Sequence, residues 1–288
     1  MPRYLRKDYQ GPADLREMQT LAQRLWSQVS RWHLGELAWR RFQHVGREPE
    51  WRTALWELDG QPVAWAWADE SGKLDLQLDP AHLTLADEIL SWSGESAVTL
   101  LDAERELADV LLRRGYEQRT GGPFFVHLAR DLADLPSPSL PAGYTLRAVR
   151  DERDAGARAA VHAAAFSPSR VTAESYLQVM AAWPYRPELD WLVESEEAEP
   201  VAFCLVWLDE VNQVAVLEPV GTDPRHRRRG LATAAVLGAL HAARQLGARS
   251  ARVCARGDDD YPSARATYES IGFRRYARNV TFAPQDRP

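Results

Sequence analysis

The stretch EPVGTDPRHRRRGLATAAV, residues 218–236, decides how this chain is read. Four arginines and one histidine fill positions 225–229, in a chain of 288 residues whose formal net charge is −6. Such a cluster serves as a nucleic-acid patch, a solvated charge run, or a loop that grips a phosphate. Its neighbours separate the three. Upstream, Val214 to Val220 is apolar except for Glu218 and reads as a strand; Pro219 lacks a donor for a sheet ladder and marks an edge or a bulge near its end. Downstream, LATAAVLGALHAARQLG from Leu231 is rich in strong helix formers, with Gly247 available at its C-terminal end. A strand, a tight basic loop with Gly230, and a helix aim free backbone N–H groups and a helix dipole at one point. A diphosphate fits that geometry, with the arginines adding charge at the rim.

The chain as a whole is ordinary for a soluble globular protein, with 45% hydrophobic and 26% charged residues, and its length suits two domains. The acidic balance argues against a general nucleic-acid binder, so the arginine cluster is a local feature. The N-terminus MPRYLRKDYQGPADL has no apolar core of a secretory signal, and no apolar run reaches the ~18 residues of a membrane span. A cytoplasmic protein is expected. Cys204 and Cys254 sit in separate apolar runs without metal-ligand spacing and read as small buried hydrophobes in a reducing compartment, with no metal site.

DLADLPSPSLPAG, residues 131–143, reads as a stiff extended linker. The segments on either side match by element. WRTALWELDGQPVAWAWADESGKLDLQLDP (51–80) and LDWLVESEEAEPVAFCLVWLDEVNQVAVLEPVGTDP (189–224) each read as a three-strand meander. Pro62-Val-Ala-Trp65 aligns with Pro200-Val-Ala-Phe203, and Asp79-Pro80 with Asp223-Pro224. LADVLLRRGYEQR (107–119) aligns with ARATYESIGFRRY (264–276), placing Gly115 on Gly272 and Leu111 on Tyr268. A tandem repeat of one α+β unit follows. After Asp223-Pro224 the second copy carries the arginine–glycine loop and a long helix; after Asp79-Pro80 the first has only AHLTLADEILSWSGE. One copy is equipped for chemistry. The other, rich in tryptophan (Trp26, Trp32, Trp39, Trp51, Trp56, Trp65, Trp67, Trp92), reads as architecture, packing on its neighbour or walling the acceptor pocket.

Arg227-x-x-Gly230-x-Ala232 resembles the pyrophosphate loop Q/R-x-x-G-x-G/A of the GNAT acetyltransferases. It is followed in order by Ala264, Tyr268, Gly272 and Phe273, which resemble that family's second signature, N-x-x-A-x-x-x-Y-x-x-x-G-F. The tandem layout is similar to that of the mycothiol synthases. The resemblance implies an α+β fold of two tandem GNAT-like units, each a mixed, mostly antiparallel sheet flanked by helices. Residues 1–131 would be a degenerate unit lacking the pyrophosphate loop, 132–143 the proline-rich linker, and 144–288 the acetyl-CoA-binding domain. It further implies acetyl-CoA as co-substrate and the amine of a small molecule as acceptor, attacking directly in a ternary complex. Cofactor contacts carried over are Val220, Gly221, Thr222, Arg227, Arg228, Arg229, Gly230, Leu231, Ala232, Thr233, Ser263 and Arg265. Tyr268 takes the place of the acid that protonates the departing thiolate.

Three positions depart from the family pattern. The family glutamate falls on Val216, and Glu218, two residues on and on the same strand face, is the candidate base. It could equally orient substrate or stand by. Tyr261 replaces the asparagine of the second signature, and Ala232 the last glycine of the first. The acidic run Asp258-Asp259-Asp260 reads as a solvated loop, and His162 and His241 as structural or surface residues. Phe166 to Tyr185, after the first strand of the second unit, is the expected acceptor-shaping segment. Its mixed character leaves aminoglycosides, amino sugars, polyamines, amino acids, protein termini and a mycothiol precursor open. A non-catalytic acyl-CoA sensor and a nucleic-acid binder are the competing functions, and a homodimer is compatible with either enzyme or sensor.

Overall fold

The computed structural model describes residues 3–27, 30–94 and 96–285. In chain order the regular elements begin with β1 Leu5–Asp8, α1 Pro12–Arg24, α2 Leu34–Phe42, β2 Trp51–Leu58, β3 Gln61–Asp69, β4 Lys73–Leu78, α3 Ala86–Ser93 and β5 Ala97–Leu101. They continue with α4 Arg105–Arg113, β6 Tyr116–Gln118, β7 Phe125–Asp131, β8 Thr145–Ala148, α5 Ala155–Ala165, α6 Ala173–Ala181 and β9 Asp190–Glu194. The last are β10 Pro200–Asp209, β11 Val214–Thr222, α7 Leu231–Gln245, β12 Ser250–Arg256, α8 Pro262–Ser270 and β13 Arg274–Pro284.

Two compact units result. The first comprises residues 1–34, 46–126 and 277–288; the second comprises 35–45 and 127–276. The division therefore does not follow chain order, and a cut at residues 132–143 partitions the chain differently. Most of α2 groups with the second unit. The end of β13 groups with the first, where Asn279 to Phe282 pair antiparallel with Val98 to Leu101 of β5. The proline-rich segment belongs to the second unit and is pinned along α7. His241 Nε2 lies 2.9 Å from the Pro136 carbonyl, and Arg244 donates to the carbonyls of Leu132 and Ala133 at 3.4 and 3.3 Å.

Within the first unit the strand order is β1-β2-β3-β4-β5-β13, with β6 beside β13. Asp59 and Gly60, at φ 52° and 76°, close the β2–β3 hairpin, as a two-residue turn matching the twist of the strands requires. Its core gathers Trp56, Ile89, Leu90, Val98, Leu111 and Phe282.

Within the second unit the order is β7-β12-β11-β10-β9-β8. β10, VAFCLVWL, is buried throughout, a continuous apolar run that fits a strand covered on both faces. α2, α5 and α6 cover it through a cluster of Ala38, Trp39, Ala155, Ala159, Tyr176, Val179, Leu205 and Trp207. α6 starts on a capping box in which Thr172 and Ser175 exchange side-chain and backbone hydrogen bonds.

The repeat is visible in local chemistry. Each unit has a parallel strand pair, β4 with β5 and β11 with β12. After β4 the Asp79 carboxylate accepts from Ala81 N at 3.0 Å, and after β11 the Asp223 carboxylate accepts from Arg225 N at 2.9 Å. The copies differ where expected: α3 has 8 residues and α7 has 15.

Candidate active site

β11 and β12 are paired only over Val214–Leu217 and Ser250–Val253. Beyond Leu217 the two strands part. On its other side β11 carries a bulge, with Glu218 and Pro219 together opposite Leu205 of β10, between the pairs Val206↔Leu217 and Cys204↔Val220. The Glu218–Pro219 peptide is cis. Two features thus free the β12-facing edge of β11 from Glu218 onward: proline, which has no N–H, and the extra residue, which bends the strand away. The freed backbone groups face a slot between the strands. Trp207 Nε1 donates to the Glu218 carbonyl at 2.7 Å and holds the bulge in place. Gly221 is demanded by packing, since a Cβ there would lie 2.5 Å from Phe203 Cζ and 2.8 Å from Ala165 Cβ.

Thr222 ends β11, and the loop that follows is built from backbone. Arg228 at φ 66° and Gly230 at φ 78° are both left-handed, and α7 begins at Leu231. The first amides of that helix have no intrahelical acceptor, so those of Leu231, Ala232 and Thr233 are available to an anion at the positive end of the dipole. A Cβ on Gly230 would meet nothing within 4 Å. The glycine is required by its dihedral angle, and the space above it is open.

Most of the arginines are engaged in holding the loop. Arg225 pairs with Asp223 at 2.8 Å and keeps that carboxyl below the usual range. Arg227 donates to the carbonyls of Thr222 and Ala165 at 3.3 and 3.1 Å. Arg229 donates to Tyr144 Oη at 2.7 Å, and that hydroxyl lies 3.0 Å from His226 Nδ1. Arg228 is exposed. Arg265 donates to the Gly257 carbonyl and pairs with Asp259 at 3.3 Å; Ser263 is exposed on the first turn of α8. Asp258 pairs with Arg256 at 2.6 Å, so the acidic run is a braced loop. Tyr261, in the asparagine position, is exposed beneath the Arg256 guanidinium, 5.2 Å from its ring.

Glu218 and Tyr268 are brought together at the slot. Burial, reinforced by the neighbouring Glu36 carboxylate and opposed by Arg40, pushes the Glu218 carboxyl up to about 8. Tyr268 is buried on α8, edge-on to Phe273 at 5.9 Å. Burial, with Cys204, Glu218 and Cys254 as neighbours, pushes its phenol well above the ordinary tyrosine value, so it carries its proton. Gly272 at φ 91° ends α8 and lets Phe273 N reach back to the Tyr268 carbonyl at 3.1 Å. The G-F of the second signature is therefore what seats the tyrosine.

Glu36 and Arg40 have no counterpart in either sequence motif. Both lie on α2, one turn apart, and no local pattern in GELAWRRF distinguishes them from a solvated helix face. Arg252 on β12 completes the charged set: it is 8% exposed, stacks 4.8 Å over Tyr276, and also senses Glu36. Next along β12, Cys254 Sγ lies 3.7 Å from His127 Nε2.

The flank formed by α5, α6 and β9 is fixed by a buried ion pair. Arg158 Nε and Asp190 Oδ1 are 3.0 Å apart, both side chains fully inaccessible. Tyr176 and Tyr185 donate their hydroxyls to Asp190 Oδ2, and Phe203 lies 3.8 Å under the guanidinium. His162, buried beside Arg158, is pushed down to about 3 and stays neutral, 3.0 Å from Ser169 Oγ.

In the first unit the matching strands part in the same way. β4 and β5 pair only at Lys73↔Ala97 and Leu74↔Val98 before parting. Arg31 donates to the Thr99 carbonyl and pairs with Asp75 at 2.6 Å, while Trp32 Nε1 donates to the Leu76 carbonyl at 2.9 Å. A cavity of 260 Å³ remains beside them, below the usual ~300–1,000 Å³ of a ligand pocket. Among the described residues, no helix is long and apolar enough to cross a membrane.

Residues 158–273 match the acetyltransferase (GNAT) family model. Mycothiol acetyltransferases of Kytococcus sedentarius and Kineococcus radiotolerans are 27% and 31% identical to this chain over 170 and 160 residues. These alignments cover 54% of this chain and 54% and 51% of the relatives, so the chain spans about half the length of the curated relatives it matches. A tandem GNAT protein from the clavulanic acid biosynthesis pathway shares the fold across 99% of this chain and 100% of its own, with TM-score 0.66 at 15% identity. A GCN5-related N-acetyltransferase from Sphaerobacter thermophilus does so across 99% and 96%, with TM-score 0.63 at 19% identity. The parted strands and the glycine-started helix lie within the residues that match the GNAT family model, and the chain shares its fold with the tandem GNAT protein.

Proposed function

We propose that the protein transfers an acetyl group from acetyl-CoA to a primary amine of a small molecule, by direct attack in a ternary complex. The observation that carries this reading is the parting of β11 and β12 at a point flanked by Glu218, Tyr268 and the start of α7. The amides of Leu231, Ala232 and Thr233, with Val220, Gly221 and Thr222 along the freed strand, suit a diphosphate and a pantetheine arm. Arg228 adds charge, whereas Arg227, Arg229 and Arg265 act by holding the loops. Glu218 takes the proton from the amine; a base near pH 8 is matched to an amine that arrives protonated. A freed β11 amide beyond the bulge stabilises the oxyanion. Tyr268, neutral and buried, supplies a proton to the departing thiolate. The first unit serves as architecture in this reading, since it lacks the arginine–glycine loop and the long helix of the second.

Calorimetric titration with CoA is the direct test. Binding is expected for the wild-type chain and should be lost in Gly230→Val, because a β-branched residue resists φ 78°. No binding at millimolar CoA to the wild type would end the proposal. Release of thiol from acetyl-CoA across an amine panel then separates an enzyme from an acyl-CoA sensor. Tyr268→Phe should lower kcat by about 100-fold at unchanged CoA affinity; an unaltered rate would remove Tyr268 from the mechanism.

A further inference from the structure

The geometry points to a second binding site, in the first unit: the cavity where β4 and β5 part takes a compact ammonium ion, with the Glu104 carboxylate as its anionic end. The inference stands apart from acetyl transfer, because every residue it uses lies in the unit without the arginine–glycine loop.

Three segments enclose the 260 Å³ cavity. The connection from α1 to α2 supplies Trp32, β4 and the turn after it supply Leu76, Leu78 and Leu83, and the start of α4 supplies Glu104 and Leu107. The tryptophan is fixed from three directions. Its Nε1 donates to the Leu76 carbonyl at 2.9 Å, its ring stands edge-on to Trp65 at 5.2 Å, and the Arg31 guanidinium lies 4.4 Å over it. This wall is in place before a guest arrives, which spares a ligand the cost of ordering it.

Glu104 is the N-cap residue of α4, yet its side chain caps no amide of that helix. It folds back toward β5 instead, where Oε2 accepts from Leu101 N at 2.6 Å. Among the described residues no group donates a hydrogen bond to Oε1. Burial pushes the carboxyl above the ordinary glutamate value, opposed by the Leu101 amide and by Arg31. A carboxylate so placed is short of a partner for its charge. Arg31 does not fill that role directly, since it pairs with Asp75 at 2.6 Å and donates to the Thr99 carbonyl. The other charged lining groups, Arg105 and Glu106, are exposed and opposite in sign.

One accessible carboxylate oxygen against a wall of leucine and tryptophan selects a small amphipathic cation. An ammonium N–H would donate to Oε1 in a charge-assisted bond, and the carbon body would cover the apolar wall. A nucleotide or diphosphate is rejected twice. The carboxylate repels it, and the cavity lies below the ~300–1,000 Å³ of pockets for larger ligands.

The test titrates the full chain with cyclohexylammonium, and in parallel with cyclohexanol and cyclohexanecarboxylate as neutral and anionic counterparts. The readout is the Trp32 indole N–H resonance in NMR, identified as the signal missing from Trp32→Phe. A saturable shift is expected with cyclohexylammonium, at an affinity about tenfold or more above that of either counterpart. Glu104→Gln should weaken the cation by a similar factor, while the glutamine carbonyl still accepts from Leu101 N and preserves the turn. Leu83→Trp fills the cavity without touching the carboxylate and should abolish the shift. No shift at millimolar cyclohexylammonium overturns the inference, as does an equal response to the three probes. Wild-type affinity in a folded E104Q or L83W protein overturns it too. CoA binding and thiol release report on the functional reading alone, so either can fail without the other.

Discussion

Glu218→Gln is expected to lower kcat by about 10²–10⁴-fold, the usual contribution of a positioned base, with CoA affinity unchanged. Glutamine keeps the size and the carbonyl of the side chain but accepts no proton. The backbone contact from Trp207 to the residue 218 carbonyl is preserved, so the bulge and slot survive the substitution. The wild-type profile of kcat/KM against pH should rise to a limb near 8, since the base works only when ionised. That limb should vanish in E218Q. A stability consequence follows with opposite sense. The folded-state value is raised above that of an exposed glutamate, so the native state holds the proton more tightly than the unfolded chain between about pH 4.5 and 8. Stability from this group is fully present below that window and declines through it as pH rises, and the glutamine variant should show a flatter dependence. A full rate with an intact pH limb in E218Q would assign the base elsewhere, or to water.

Asp190→Asn is expected to destabilise the protein by about 3–5 kcal/mol, the cost of stranding one half of a buried ion pair. Arg158 is fully inaccessible, and among the described residues its two Nη atoms have no hydrogen-bond partner and Asp190 is the one counter-charge in direct contact. The same carboxylate accepts from Tyr176 and Tyr185, so one change weakens the anchoring of α6, the turn before β9 and α5 together. Urea unfolding should show a lower midpoint at constant m-value. Replacing both partners with apolar residues of similar volume should recover much of the loss, because the desolvation cost leaves with the charges. An unchanged midpoint in D190N would mean that Arg158 is compensated by other means. Because this flank lines the expected acceptor segment, D190N should also raise KM for the amine more than that for acetyl-CoA.

The functional strand, loop and helix were legible because their chemistry is local. A proline that cannot donate, a glycine that can turn left-handed and an alanine-rich run each act within a few residues, and β11, the loop and α7 follow that reading. Tyr268 was equally legible, since Gly272 and Phe273 seat it from four and five residues away. The charge cluster forms a loop whose arginines divide the work unevenly: carbonyls at Thr222 and Ala165 and a hydroxyl at Tyr144 occupy two of the three proposed rim residues. Two of those acceptors, Ala165 and Tyr144, are 62 and 85 residues away in sequence, beyond any local pattern.

What the amino-acid sequence determined by itself is the repeat, the asymmetry between its copies and the glycine turn that starts α7, all of which depend on backbone preferences and short-range spacing. What tertiary structure alone decided is the company Glu218 keeps. Whether that carboxyl is an ordinary surface acid or a group titrating near 8 depends on burial by the bulge and on a carboxylate brought in by α2, 182 positions earlier in the chain. Electrostatic energy depends on distance through space and on the surrounding medium, and neither is written in the spacing of residues along the chain.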